Sequence, residues 1–489
     1  MNKTLLTDFY QINMMYSHFK NGKINQETVF DLYFRKNPGQ SGYAIAAGLE
    51  QAVDYIVNLK FSDDDLQYLR SVGSYDDDFL NYLKSFRFTG ELYAVPEGTV
   101  VFPHEPLIRV KAPIGQAQLI ETALLNIVNH QTLIATKAAR IMEAAGERMV
   151  MEFGLRRAQG SDAGLYGARA AYIGGVQATS NVLAGQMFGI PVKGTHSHAF
   201  VQSYPSEYEA FLDFARTFPD NCILLVDTYD TLNSGVPNAI KVFNKMKEEL
   251  GERFVNFGIR LDSGDLAYFS KQARKMLDEA GFSEAIIVAS SDLDEFLISD
   301  LNSQGAQVDA WGVGTNLITS KDCPALGGVY KLAAEENNGI LVPKIKVSEN
   351  PEKITNPGYK KVVRFYDKDT QQAIVDLIML EEEEIPTGPF IAFDPVNTWK
   401  RKRVENFIAK PLLQPVIVNG EVVYSFPTLQ EIQRFAKAEK DRFAPEVRRL
   451  INPHVYHVDL SLQLWELKQR LLEEAGQVAE LNESSSERE

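Results

Sequence analysis

Six short apolar runs, alternating with polar or glycine-rich stretches and helical ones, constrain the fold of this chain more than any other feature. They are Met149–Phe153, Ile190–Lys193, Cys222–Val226, Val255–Leu261, Ala285–Ala289 and Val308–Gly312. A continuous apolar run fits a strand buried on both faces, and such strands alternating with helices indicate a parallel sheet. A (β/α) barrel averages about 31 residues per unit, which matches the spacing. A doubly wound sheet would give the same pattern; the barrel is the preferred reading.

The flanks read differently. Leu5, Phe9, Ile12, Tyr16 and Phe19 fall at helical spacing, and Thr28–Arg35 reads as a strand. Glu91–Pro113 reads as short strands broken by a Pro-Glu-Gly turn, and a helical stretch covers 116–145. From Lys344 onward come "VVRFYD", the acidic run Glu381–Glu384, the basic run Lys400–Arg403 and an Asn419-Gly420 hairpin signal. Helices follow Thr428, and the polar tail "LNESSSERE" is expected to lack structure. The expected fold is therefore α/β: an irregular (β/α) barrel plus a β-rich, sandwich-like domain formed from both chain ends. The boundaries drawn are 1–125, 126–343 with the active site, and 344–489.

Composition narrows the partners. A chain of 489 residues with 45% hydrophobic content can bury a large core unaided. Its net charge of −15 argues against nucleic acid or an anionic membrane surface as the main partner. Two cysteines, Cys222 and Cys323, form neither a disulfide framework nor a metal motif, which favours a reducing cytoplasm. No apolar run approaches the roughly 18 residues of a membrane span. No clean secretory leader is expected, because Asp8 interrupts the N-terminal segment.

In a barrel, catalytic groups sit where strands run out into the following loops. Here those ends carry Arg156 and Arg157, then Lys193, Thr195, His196 and His198, then Asp227, then Arg260, Asp262 and Asp265, and last Gly312, Gly314 and Thr315. Each has an ordinary explanation alone. An arginine pair is commonly a structural ion-pair group, "GVGTN" is a common turn, and Asp262 or Ser263 could cap the helix from Asp265. Delivered together to one face, they make a site. Arginine forks bind carboxylate or phosphate, and glycines let backbone N–H groups approach phosphate oxygens. Asp227 and Asp262 would repel a bare anion. They fit if they orient a histidine, hold Mg²⁺ or stabilise a cationic transition state, as at the anomeric carbon of a phosphorylated sugar. Residue chemistry leaves His196 and His198 equally open.

At these residues the chain resembles the nicotinate phosphoribosyltransferases. The resemblance runs through "LLTDFYQINM", "EFGLRRAQG", "GTHSHAF", "DTYDT", "IRLDSGDL", "WGVGTN", "LGGVYKL" and "NPHVYHVDLS", in family order over nearly the whole length. It implies transfer of phosphoribosyl from 5-phosphoribosyl 1-pyrophosphate to nicotinate, giving nicotinate mononucleotide and pyrophosphate, for NAD salvage. It also implies ATP as co-substrate, hydrolysed through a phosphohistidine, and a homodimer with shared active sites. By motif, His198 is the modified histidine. Phe153, Arg156, Thr195 and Arg260 lie on the substrate side, Gly314 and Thr315 hold the ribosyl phosphate, and Tyr10 is an aromatic lent by the partner subunit. Asp227 is a candidate to orient the histidine, and either Asp262 or Asp227 is expected to face the sugar; Mg²⁺ would neutralise the departing pyrophosphate. Nicotinamide phosphoribosyltransferase, or another phosphosugar-binding barrel protein, is the alternative. The nicotinamide relative carries Asp where Ser180 stands, so an uncharged Ser180 beside arginines favours the acid.

Overall fold

The structure, a computed structural model, describes residues 3–486, with side chains described to residue 476. It divides into two compact units, Ile134–Pro324 and a second formed by Met1–Leu133 with Ala325–Glu489.

The continuous apolar runs make the sheet of the first unit. Its strands are β1 (Met149–Glu152), β2 (Ala178–Thr179), β3 (Cys222–Leu225), β4 (Phe257–Leu261), β5 (Ile286–Ser291) and β6 (Ala310–Val313), in the order β2-β1-β6-β5-β4-β3. All pairings are parallel: Met151 opposes Ala178, Ala310 opposes Met149, Val288 opposes Ala310, and Cys222 opposes Phe257. β3 and β6 are buried along their whole length, as strands covered on both faces must be. No pairing joins the two edges among the described residues, so the barrel is irregular.

One expected strand is not formed. Ile190–Lys193 shrinks to a single bridge, Val192 to Thr179. Pro191 has no N–H to donate, which limits the run to the contacts around Thr179. The strand that lies beside β1 is instead the two-residue Ala178–Thr179, too short to leave an apolar run in the sequence.

Strands from both chain ends build the second unit. Glu27–Phe34 pairs antiparallel with Gly328–Asn337 and with Ile108–Pro113 in a seven-stranded sheet. The stretch 325–343, assigned from sequence to the barrel, belongs here: Gly328–Asn337 and Ile340–Pro343 are strands of this sheet. A four-stranded sheet contains Lys360–Asp367 and Ala373–Leu380. A buried ion pair, Lys360 to Asp31 at 2.7 Å, ties it to the first sheet. Asn419 (φ 51°) and Gly420 (φ 81°) are both left-handed, as a two-residue hairpin requires. The C-terminal helix Leu462–Ser486 takes in part of the polar tail, whose residues 487–489 lie outside the described residues. Among the described residues, no helix is long and apolar enough to cross a membrane.

Candidate active site

Because the strands of the first unit are parallel, their C-terminal ends share one side, and the loops that leave them form a cleft of about 200 Å³. Phe153, Arg156 and Arg157 reach it from beyond β1, Arg260 and Asp262 from β4, Ser290, Ser291 and Asp292 from β5, and Gly312, Gly314 and Thr315 from β6. The Phe153 ring lies so close to Gly312 that a Cβ there would stand 2.6 Å from it. Glycine is required at that position by close approach.

The "DSGD" segment does not spend its first residues on capping. Asp265 itself caps helix Leu266–Glu279, accepting from the Tyr268 N–H at 2.9 Å. Asp262 and Ser263 are thereby released to the site. Asp262 Oδ1 accepts from Ser290 Oγ at 2.6 Å. Asp227 Oδ2 accepts from the Asp262 N–H at 2.9 Å and from Ser263 Oγ at 2.6 Å. The other oxygen of Asp227, Oδ1, is buried without a hydrogen-bond partner.

Geometry separates the two histidines. His196 is buried, and its Nε2 accepts from the backbone N–H of Leu225 at 3.1 Å. Phe200, Phe211 and Phe214 surround its ring, with centroids at 5.3, 6.0 and 4.7 Å. Burial pushes its pKa from 6.5 down to about 4, so it stays neutral near pH 7. A ring whose lone pair is already engaged inside an aromatic pocket is structural. His198, by contrast, is 41% exposed and opens a short helix capped by Ser197. Its Nε2 lies 3.8 Å from Asp262 Oδ2 and 4.0 Å from Asp227 Oδ1.

The expected orienting role of Asp227 is corrected. The direct hydrogen-bond partner of His198 is Thr228, whose Oγ1 lies 3.1 Å from Nδ1. Asp227 is held by Ser263 and by backbone instead, and at 4.0 Å it faces the imidazole without a hydrogen bond.

Arg260 joins this group. Its Nη1 lies 4.0 Å from Asp262 Oδ1, and its Nη2 donates to the His196 carbonyl at 3.0 Å. Thr195 Oγ1 donates to the same carbonyl at 3.3 Å, which places Thr195 beside the guanidinium. Burial lowers the pKa of Arg260, while Asp262 and Asp227 oppose that shift. The structure thus brings together Arg260, Asp262, Asp227 and His198, with Phe153, Arg156, Gly314 and Thr315 along the same cleft. Ser180, just beyond β2, donates its N–H to Glu152 O at 2.9 Å and is not part of the cleft wall. Tyr10 belongs to the other unit, where it is 49% exposed in the first turn of helix Phe9–Lys20.

Sequence reasoning missed Thr228, Ser263 and the Ser290–Asp292 loop. The last had a signal: "SSD" follows the apolar run 285–289 as directly as "DSGD" follows its own.

Comparison with known proteins extends over most of the chain. Residues 5–129 match the nicotinate phosphoribosyltransferase (NAPRTase) N-terminal domain, and 359–468 match the nicotinate phosphoribosyltransferase C-terminal domain. The nicotinate phosphoribosyltransferase of Bacillus subtilis is 51% identical over 96% of this chain and 95% of its own. The Caenorhabditis elegans enzyme is 38% identical over 94% of this chain and 92% of its own. The human nicotinic acid phosphoribosyltransferase crystal structure aligns with a TM-score of 0.83 at 31% identity, covering 95% of this chain and 99% of that one. A nicotinate-nucleotide pyrophosphorylase from Pyrococcus furiosus, at 23% identity and a TM-score of 0.67, shares the fold.

Proposed function

From the premise that this chain belongs to the nicotinate phosphoribosyltransferase family, we propose that it couples phosphoribosyl transfer to ATP hydrolysis through a phosphohistidine at His198. Nicotinate phosphoribosyltransferase activity, and with it a role in NAD salvage, follows from the family. The coupling rests on one observation above the rest. His198 Nε2 stands within 4.0 Å of both Asp227 and Asp262, and Asp262 in turn stands 4.0 Å from Arg260. A nucleophilic imidazole, two carboxylates and an anion-binding guanidinium therefore share one mouth.

In this reading Arg260 pairs with the nicotinate carboxylate, with Thr195 beside it, and Phe153 offers a ring face to the pyridine. Arg156 and the Gly314–Thr315 turn receive the phosphate of the sugar. As the C1–oxygen bond to pyrophosphate breaks and the ring nitrogen bonds to C1, positive charge grows on the ribose, and Asp262 faces it. His198 takes the γ-phosphoryl group of ATP: an N–P bond forms, the bond to ADP breaks, and water later releases phosphate. Thr228 fixes the ring through Nδ1, leaving Nε2 towards the carboxylates. Phosphohistidine then helps hold the diphosphate and its loop in a productive arrangement.

Asp227, with its unpartnered buried oxygen, and Asp262 fit Mg²⁺, which is commonly held by one or two carboxylates plus substrate phosphates. Mg²⁺ would supply charge neutralisation for the departing diphosphate. The exposed Tyr10 supports a homodimer in which each subunit lends an aromatic ring to the other's site. The sparing use of cysteine, two residues in 489, supports a cytoplasmic setting.

Product analysis with purified protein tests the coupling. With nicotinate and 5-phosphoribosyl 1-pyrophosphate, ATP should raise the yield of nicotinate mononucleotide and be consumed with it, while nicotinamide yields little product. A yield and rate indifferent to ATP would overturn the coupling. Equal use of nicotinamide would overturn the role given to Arg260.

A further inference from the structure

Two of the loops that wall the cleft, 290–292 and 312–315, come from different strands, and one side chain joins them. Asn316 is buried just past Thr315, and its amide nitrogen donates to the carbonyls of Asp292 at 2.9 Å and Leu293 at 3.1 Å. Both amide hydrogens are used on the neighbouring loop. That loop is strained: Ser291 has φ 131°, a left-handed conformation that side chains other than glycine rarely adopt. Such a conformation persists only where its surroundings over-determine it. Ser291 is pinned on both sides, by the Ser290 hydroxyl on Asp262 at 2.6 Å and by Asn316 on the two residues that follow.

We propose that Asn316 is a positioning residue for the sugar-phosphate end of the cleft, holding the Ser290–Asp292 loop at a fixed distance from the Gly314–Thr315 turn so that one phosphorylated ribose bridges both. The inference rests on the reading of this cleft as the phosphoribosyl site. It adds a residue that touches no substrate yet sets the separation of two groups that do. An asparagine is needed because two carbonyl oxygens must both accept a hydrogen bond from one buried side chain. Aspartate, of the same shape, offers none and turns a charge on both.

The experiment is steady-state kinetics of Asn316→Asp and Asn316→Ala. Loss of two hydrogen bonds that matter only to one end of the cleft should raise KM for 5-phosphoribosyl 1-pyrophosphate about tenfold or more. KM for nicotinate should stay within about twofold. A merely structural residue would lower the thermal midpoint and the amount of active enzyme without separating the two constants. Equal shifts in both, or no shift in either, overturn the proposal. If neither variant folds, hydrogen exchange on the unaltered protein decides. 5-Phosphoribosyl 1-pyrophosphate alone should slow exchange in 290–293 and 314–317 together, and nicotinate alone should not. Protection of one loop without the other overturns the proposal. Unaltered protein that forms no product at all marks failure of the site reading instead.

Discussion

Arg260 and His196 are neighbours with opposite duties. Arg260 faces the cleft, and His196 holds the backbone on which Arg260 leans. Truncating one partner of a desolvated charge pair costs roughly 2–5 kcal/mol, about three hundredfold in affinity at mid-range. Arg260→Ala should therefore raise KM for nicotinate by about that factor, and KM for ATP far less, in initial-rate measurements. Equal losses would show that Arg260 is not the carboxylate clamp. His196 titrates near 4 when folded and near 6.5 when free, so its contribution is intact above pH 6.5. As pH falls from 6.5 through 4 the unfolded chain gains a proton that the folded one refuses, and stability drops by about 3 kcal/mol. His196→Gln keeps an acceptor for the Leu225 N–H but cannot titrate. Urea unfolding between pH 7 and 4.5 should show a visibly smaller loss of stability in this variant than in the unaltered protein. His104, also held near 4 by burial, supplies a similar slope to both proteins and cancels in the difference.

At the scale of elements, the site depends on strands that approach too closely for side chains. A Cβ on Gly258 would lie 2.1 Å from the carbonyl oxygen of Ile286 on the neighbouring strand. Gly258→Ala should push β4 off β5 and cost at least about 2 kcal/mol, read as a fall in the urea midpoint, with loss of activity because β4 carries Arg260 and runs directly into Asp262. The sequence showed the strands that are long and apolar and missed Ala178–Thr179, because two residues carry no periodicity. It placed a strand at Ile190–Lys193 because apolar character registers there, whereas the missing donor of Pro191 does not register in hydropathy. The charged strand ends were legible since charge beside a buried strand is conspicuous. Thr228 and the strained Ser290–Asp292 loop were not, because hydroxyls are common everywhere and backbone strain leaves no compositional mark.

At the scale of the molecule, both chain ends build one unit and the middle of the chain builds the other. The long-range pairing of Glu27–Phe34 with Gly328–Asn337 accounts for textures that recur at the two ends of the sequence. What lay beyond sequence was which carbonyls and carboxylates each side chain meets, since those contacts span 30 residues between His198 and Thr228 and 28 between Ser290 and Asp262. The shared-site dimer is testable with subunit mixing. Dimers joining a Tyr10→Ala subunit to an Arg260→Ala subunit place both defects in one site, and so should keep about half the unaltered activity. Mixed dimers with no activity would mean that each Tyr10 serves its own subunit.

The most direct test of the whole account is to incubate the protein with γ-labelled ATP and map the acid-labile phosphate by peptide sequencing. The account predicts label on His198, abolished in His198→Asn and retained in His196→Gln. Label on His196, or no covalent label under conditions where the enzyme turns over ATP, would contradict it.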